Sequence, residues 1–125
     1  MTKEEALENQ FGNSVKSFSE ALARPKDEFM RDSCILRFEL VFDLSWKYIK
    51  KYLQSRAGVV CLSPKECFKE AYARGLTEYD VAWLKMTDER NVAVHTYKVE
   101  LAEALYEKLP EFLKLFQELE KALKK

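Results

Sequence analysis

The residues best suited to chemistry lie close together, in the segment Arg90-Asn91-Val92-Ala93-Val94-His95-Thr96-Tyr97. Arg90 offers a rigid fork of hydrogen-bond donors that fits a phosphate. His95 is the single histidine of the chain and can transfer a proton near neutral pH. The hydroxyl of Tyr97 can act as a nucleophile or accept a transferred group. Together these residue types indicate a site that handles phosphate.

Helical geometry limits how these side chains meet. Asn91 and His95 are four residues apart and share a helix face, whereas Arg90 and His95 lie about 140° apart around an ideal helix. Either the helix unwinds near His95, or a second copy of the chain completes the site across a two-fold axis. Purely structural roles are also open, with His95 satisfied by a carbonyl or carboxylate and Arg90 in an ion pair with Asp88 or Glu89.

Capping signals and apolar spacing predict helices along the whole chain. Thr2 and Glu5 form a capping box before the first helix, and Ser63, Pro64 and Glu66 announce a short third one. The second, fourth and fifth helices are predicted at about 28–55, about 78–95 and from about 99 onward. The sequence therefore predicts an all-α fold, an up-and-down bundle of four long helices with an extra short helix, in a single domain over residues 1–125.

The second helix carries an apolar arc of roughly 200°, wider than one neighbouring helix covers. It is either central in its bundle or shared with a second subunit. Its aromatic stripe Phe38, Phe42 and Trp46 coincides with the helical apolar period and is predicted to belong to the core rather than to stack on bases. Arg37 lies within this arc, where an unpaired charge is costly, so it either pairs with an acid such as Glu39 or lines a dimer cleft near Arg90. The narrow solvent-facing side is predicted to hold Glu39, Asp43, Lys47 and Lys50. The fourth helix is predicted to direct four residues toward the core: Val81, Trp83, Leu84 and Met86.

Composition argues against several classes of protein. Lys and Arg number 21 and Asp and Glu also number 21, so no net field attracts a polyanion and any nucleic-acid contact must be local. Three cysteines without a CxxC pair and one histidine do not make a closed zinc site, and we expect reduced thiols. No apolar stretch reaches the roughly 20 residues of a bilayer span, and no signal peptide is apparent. We expect a cytoplasmic protein without metal, cofactor or membrane contact.

The pattern Arg-Asn-x-x-x-His-x-Tyr at 90–97 resembles the signature of HEPN domains, which are small helical proteins of prokaryotic toxin-antitoxin pairs. The run 31–47 resembles the long second helix of the nucleotidyltransferase substrate-binding protein family, a HEPN branch. Further matches in order and spacing are Ser63-Pro64-Lys65-Glu66, Ala71 with Gly75-Leu76, and Trp83-Leu84-Lys85-Met86. The resemblance covers almost the whole chain.

This resemblance implies a HEPN-like homodimer that works with a separately encoded minimal nucleotidyltransferase, as the toxin half of the pair. It implies metal-independent cleavage of RNA, with His95 moving a proton and Arg90 stabilising the transition state, supported by Asn91 and Arg37. Tyr97 matches the tyrosine that the partner modifies with AMP. The resemblance also fits a non-catalytic subunit that binds a nucleotide or another substrate for the transferase. The chain lacks the Gly-Ser loop and Asp-x-Asp pair of a nucleotidyltransferase, so it is not itself that enzyme.

Overall fold

The computed structural model describes residues 1–95 and 98–124, except for the side chains of Val94 and His95. Five helices lie within these ranges: α1 (Lys3–Leu22), α2 (Glu28–Ala57), α3 (Pro64–Ala73), α4 (Val81–His95) and α5 (Val99–Leu123). The long helix α2 packs against α1, α3 and α5, and α4 packs between α3 and α5. None of these helices is long and apolar enough to cross a membrane. The predicted all-α bundle is confirmed.

Local capping explains where two of the helices begin. The Thr2 hydroxyl accepts a hydrogen bond from the backbone of Glu5, and the Glu5 carboxylate accepts one from the backbone of Thr2, so the predicted capping box is present. Ser63 likewise accepts from the backbone of Glu66 at 3.3 Å. The Glu66 carboxylate accepts instead from the backbone of Leu62, at 3.1 Å. Side chains thereby satisfy backbone donors that the helix itself leaves free.

Aromatic side chains fill the core and join the helices. Phe68 of α3 stacks on Trp83 of α4, with ring centroids 4.6 Å apart. Trp83 and Met86 are fully buried, as predicted, but Val81 is 57% exposed because α4 begins at this residue rather than near 78. The aromatic stripe of α2 belongs to the core as predicted. The fully buried aromatic residues include Phe11, Phe18, Phe38, Phe42, Trp83 and Phe116.

The cysteines differ from the expectation of reduced thiols. Cys61, in the segment before α3, forms a disulfide with Cys67 of α3, and their Cα atoms are 5.1 Å apart. Both residues are fully buried. The first turn of α3 brings Cys67 back beside Cys61, a proximity that spacing in the sequence does not reveal. Cys34 is free and buried, and burial raises the pKa of its thiol.

Candidate functional site

Arg90 of α4 lies against the aromatic core of α2. Its guanidinium carbon is 5.3 Å from the centroid of the Phe42 ring. Phe42 is fully buried and Arg90 is half-buried, so one face of the cation is shielded from water. A cation held over an aromatic ring gains about 0.5 to 2 kcal/mol, more when it is desolvated. The contact fixes where α4 presents its positive charge.

The acids next to Arg90 in the sequence are engaged elsewhere. Asp88 pairs with Lys65 at 2.6 Å, and Glu89 pairs with Lys108. The ion pair between Arg90 and either acid, which was open as a structural role, is therefore not formed. Within the described ranges no carboxylate lies within ion-pair distance of Arg90. Its charge is positioned without being neutralised by a direct contact.

The hydrogen bonds of Arg90 are incomplete. One terminal nitrogen donates to the side-chain oxygen of Asn91 at 3.3 Å, while the buried Nε has no partner in the described structure. A buried donor left unpaired costs about 1 to 3 kcal/mol. Asn91 is exposed and reaches the guanidinium rather than a backbone group. The buried Nε is out of a ligand's reach, so an anion would bind the terminal nitrogens of this half-buried guanidinium.

Glu39 is the carboxyl whose pKa responds to Arg90. It lies on α2 three residues before Phe42, and residues with this spacing share a helix face. Burial raises the pKa of the Glu39 carboxyl, and the positive charge of Arg90 lowers it by a smaller amount. The sequence had placed Glu39 on the solvent-facing side of α2, but its side chain is half-buried. Glu39 of α2 and Arg90 of α4 are therefore close enough for their charges to interact, but they form no ion pair among the described residues.

A cavity of about 260 Å³ opens beside Glu39, between α2, the end of α4 and the start of α5. Glu39 and Ala93, one turn after Arg90, both line it, and its other charged side chains are Asp32 and Lys98. The rest of the lining is apolar: Ile35, Leu36, Leu101, Ala102 and Leu105. The site is therefore a largely apolar hollow with a few charged groups, a pattern common in ligand sites.

Exposed aliphatic side chains surround the cavity. Leu36 is 68% exposed and Leu40, one turn further along α2, is 54% exposed. Leu101 of α5 and Val92 of α4 are exposed as well. Leu101 also lines a second hollow of about 280 Å³ between α4 and α5, together with Val92. Large apolar side chains gathered on a surface mark a place where another molecule binds.

Arg37 does not form the expected ion pair with Glu39. It is exposed on α2, where its Nε donates to the Ser33 hydroxyl at 3.2 Å and a terminal nitrogen donates to Ser17 of α1. The predicted arc included Arg37 because steps of 100° place it there, but its side chain stays exposed and reaches α1 only through the hydrogen bond to Ser17 among the described contacts. Its place in a dimer cleft stays a prediction.

The buried cation of α2 is Arg31, which the sequence analysis did not single out. Its side chain is 4% exposed and pairs with Asp32 at 3.0 Å and with Glu103 of α5 at 2.9 Å. Glu103 also contacts Lys26. Hydrogen bonds from Lys26 and Arg31 lower the pKa of the Glu103 carboxyl. This network ties the start of α2 to α5 next to the cavity.

Two predicted site residues lie outside this description. His95 is the last residue of α4, but its side chain is outside the described atoms, and Tyr97 is outside the described residues. The described ranges contain no group of three or more His, Cys, Asp or Glu side chains that could hold a metal ion. The structure therefore places Arg90 and Asn91 together, and the roles of His95 and Tyr97 stay predictions.

Sequence reasoning missed that Phe42 and Glu39 of α2 lie near Arg90 of α4. Phe42 was assigned to the core alone and Glu39 to the solvent-facing side of α2. Their three-residue spacing was visible, but the contact joins α2 to α4, and spacing within one helix carries no information about a second helix.

The fold and the site together define a helical bundle in which an arginine without an ion-pair partner among the described residues lies one turn before Ala93, which lines an apolar cavity. Residues 6–125 match the family described as "Nucleotidyltransferase substrate binding protein like", and the chain belongs to this family.

Individual proteins agree with this membership. A protein from Haemophilus influenzae named "Probable ribonuclease HepT" is 35% identical over an alignment of 83 residues, and the match covers 63% of this chain. The matched segment spans 57% of that relative's length.

Two solved structures share the fold. A protein from Thermus thermophilus superposes with a TM-score of 0.86 and 30% identity, over 92% of this chain and 99% of that one. A second, from Haemophilus influenzae, has a TM-score of 0.73 and 27% identity, over 98% of this chain and 97% of that one. The latter is described as revealing the fold of a substrate binding domain of a nucleotidyltransferase.

Proposed function

We propose that this chain is the RNA-cleaving toxin subunit of a two-component system, paired with a separately encoded minimal nucleotidyltransferase. The observation that carries the proposal is the state of Arg90, a guanidinium held on Phe42 with no direct carboxylate partner among the described residues and with a buried, unpaired Nε. The relative named as a probable ribonuclease supports this activity. We treat residues 1–125 as one domain that acts as a unit.

The proposed chemistry needs no metal or cofactor. The RNA 2′-hydroxyl attacks the adjacent phosphorus, so that an O2′–P bond forms, the P–O5′ bond breaks and a 2′,3′-cyclic phosphate remains. The 2′-hydroxyl loses its proton and the leaving O5′ gains one. His95 carries out one of these two transfers, which contributes roughly 10² to 10⁴ in rate, and a second group or solvent water carries out the other. Arg90 stabilises the negative charge that develops on the phosphorane-like transition state.

Two supporting roles follow from the contacts on the surface of the bundle. Asn91 holds one nitrogen of the Arg90 guanidinium and thereby limits its rotation. Arg37 lines a shallow groove on α2 together with Glu39 and Leu40, where its exposed cation can contact the RNA backbone. Phosphate contacts of this kind position a nucleic acid without reading its sequence.

A homodimer would complete the site. Arg90 and His95 are five residues apart on α4, so they point about 140° apart on an ideal helix. A second copy packed on the exposed Leu36, Leu40 and Leu101 would bury these apolar side chains and bring its own His95 toward Arg90. An isologous contact of this type places like residues on both sides of a two-fold axis.

Tyr97 is the proposed point of control. Transfer of AMP to its hydroxyl by the partner nucleotidyltransferase would add bulk and a negative charge two residues after His95. That charge would compete with the RNA phosphate for Arg90. Modification would therefore oppose cleavage and neutralise the toxin.

A non-catalytic role is the second candidate, because one structural neighbour is described as a substrate binding domain of a nucleotidyltransferase. In this version the cavity of about 260 Å³ holds a nucleotide or another substrate for the transferase, and Arg90 binds its phosphate. The two versions differ in whether RNA is cut.

Expression in bacteria tests the proposal. Induction of the wild-type chain should stop growth and fragment cellular RNA, whereas His95→Ala should do neither at the same protein level. Arg74→Ala is a matched control and should act like wild type. Arg74 is an exposed arginine at the end of α3, outside the motif, and pairs with Glu70. Normal growth and intact RNA with the wild-type chain would contradict the toxin role and favour the binding subunit.

A further inference from the structure

The carboxyl group of Glu39 lies near Arg90, the proposed phosphate-binding residue. Glu39 is half-buried, lines the cavity and makes no hydrogen bond or ion pair within the described residues. Arg90 approaches the same face of α2 through Phe42. Placing a carboxylate near the position of a phosphate weakens phosphate binding by like-charge repulsion. Glu39 therefore has to face another part of the ligand.

The group that Glu39 faces should be a hydrogen-bond donor. An ionised carboxylate only accepts hydrogen bonds, so it pairs with a hydroxyl or an amino group and not with a phosphate oxygen. In a ribonucleotide chain the 2′-hydroxyl lies next to the phosphate along the sugar. It is also the group that lets a protein distinguish RNA from DNA.

We propose that Glu39 accepts a hydrogen bond from the ribose 2′-hydroxyl adjacent to the phosphate held by Arg90, and that it thereby selects ribonucleic over deoxyribonucleic acid. A hydroxyl has a single hydrogen to donate, so in this arrangement Glu39 receives the proton of the attacking hydroxyl and His95 protonates the leaving oxygen. The proposal rests on the proposed function, because it assumes a phosphate at Arg90. The cavity beside Glu39 fits this role, since Ala93, one turn after Arg90 on α4, lines it as well, and Glu39 and Arg90 form no ion pair among the described residues. Phe42 holds the arginine in place on one side of this space.

The other charged groups of the cavity leave this role to Glu39. Asp32 is paired with Arg31 at 3.0 Å, so its carboxylate is already engaged. Lys98 is exposed at the rim and is a cation suited to a neighbouring phosphate. Within the described lining, Glu39 is the carboxyl without a direct partner.

Binding measurements can test the proposal separately from cleavage. The chain would carry His95→Ala so that bound RNA is not cut. Fluorescence anisotropy would compare three labelled single strands of one sequence: RNA, 2′-fluoro RNA and DNA. The 2′-fluoro strand keeps a ribose-like sugar but lacks the donor. With Glu39 present, RNA should bind about tenfold or more tightly than 2′-fluoro RNA, as expected for a hydrogen bond to a charged group.

Substitution of Glu39 should remove this preference. In a Glu39→Leu version the RNA to 2′-fluoro RNA affinity ratio should fall toward one, and DNA should bind more tightly because the repulsion is gone. Asp43→Leu is the matched control, one turn along α2 in the same groove, and should keep the ratio. If Glu39 had a purely structural role, Glu39→Leu would lower the affinity for all three strands equally and leave the RNA to 2′-fluoro RNA ratio unchanged.

Each remaining outcome is decisive. Equal affinity for RNA and 2′-fluoro RNA in the protein that retains Glu39, or an RNA to 2′-fluoro RNA affinity ratio that Glu39→Leu leaves unchanged, would overturn this proposal while leaving the proposed function standing. Absence of binding to all three strands, together with no cleavage by the wild-type chain, would overturn the proposed function and this inference with it.

Discussion

The guanidinium of Arg90 lies over the ring of Phe42, with 5.3 Å between the guanidinium carbon and the ring centroid. This contact links the sequence segment with the chemical groups to the buried core of the longest helix. Because Asp88 and Glu89 pair with lysines, the aromatic ring rather than a carboxylate holds the cation. Such an arrangement positions a charge without neutralising it.

The aromatic support of Arg90 can be tested by Phe42→Leu, with Phe38→Leu as control. Both residues are fully buried in the same aromatic cluster, so each change should lower the free energy of unfolding by about 1 to 3 kcal/mol. Only Phe42→Leu removes the ring under Arg90. RNA affinity measured by anisotropy should therefore fall several-fold more for Phe42→Leu than for Phe38→Leu. Equal losses would show that the ring does not position the cation.

The disulfide between Cys61 and Cys67 should contribute to stability. It joins residues six positions apart, and closing a loop of this size restricts the unfolded chain by about 2 kcal/mol. Thermal unfolding should occur at lower temperature with a reductant present. A Cys61→Ala/Cys67→Ala protein should unfold at that lower temperature with or without reductant. A wild-type transition that reductant does not move would contradict the contribution.

Glu39 should make stability depend on pH. Burial raises the pKa of its folded-state carboxyl above the unfolded value of 4.5, so the folded chain holds a proton over a range where the unfolded chain has lost it. Stability from this group is therefore present below pH 4.5 and decreases as pH rises through the folded pKa. Glu39→Gln should raise the unfolding temperature near pH 7, with a smaller gain near pH 4.5. Calorimetry at both values checks this, and an equal gain at both would contradict it.

Much of the bundle could be predicted from local signals. The Thr2–Glu5 box and the Ser63 cap mark helix starts because they depend on contacts within a few residues. The wide apolar arc of α2 was also visible: Phe38, Phe42 and Tyr48 are buried, and Trp46 and Tyr52 pack against the core partly buried. These features follow from spacing along one helix.

The remaining features depend on which helices meet. An idealised helix placed Arg37 among buried residues, but the flank with Leu36 and Arg37 is uncovered in the described chain. The Cys61–Cys67 pairing depends on the path of the chain into α3. The contact between Arg90 and Phe42 joins two helices far apart in sequence. Each of these three features depends on how distant segments pack together, and the local sequence pattern does not reveal that packing.

We expect the dimer interface to include the exposed Leu36 and Leu40 of α2. Leu36→Glu should convert a dimer into a monomer, because it places a charge where two apolar surfaces would meet. Leu62→Glu is the control, since Leu62 is similarly exposed, at 71%, but lies before α3. Light scattering at micromolar concentration should give a dimer for wild type and for Leu62→Glu. A wild-type monomer, or a dimer that Leu36→Glu leaves intact, would contradict this interface.

Cleavage of a labelled RNA by purified protein tests the central claim, that Arg90 and His95 act on a phosphodiester, most directly. Arg90→Ala should slow cleavage by about 10² to 10³ and His95→Ala by about 10² to 10⁴, while Arg74→Ala should match wild type. Wild-type activity should persist with a metal chelator and yield 2′,3′-cyclic phosphate ends. Equal cleavage by the wild-type, Arg90→Ala and His95→Ala proteins would contradict the account.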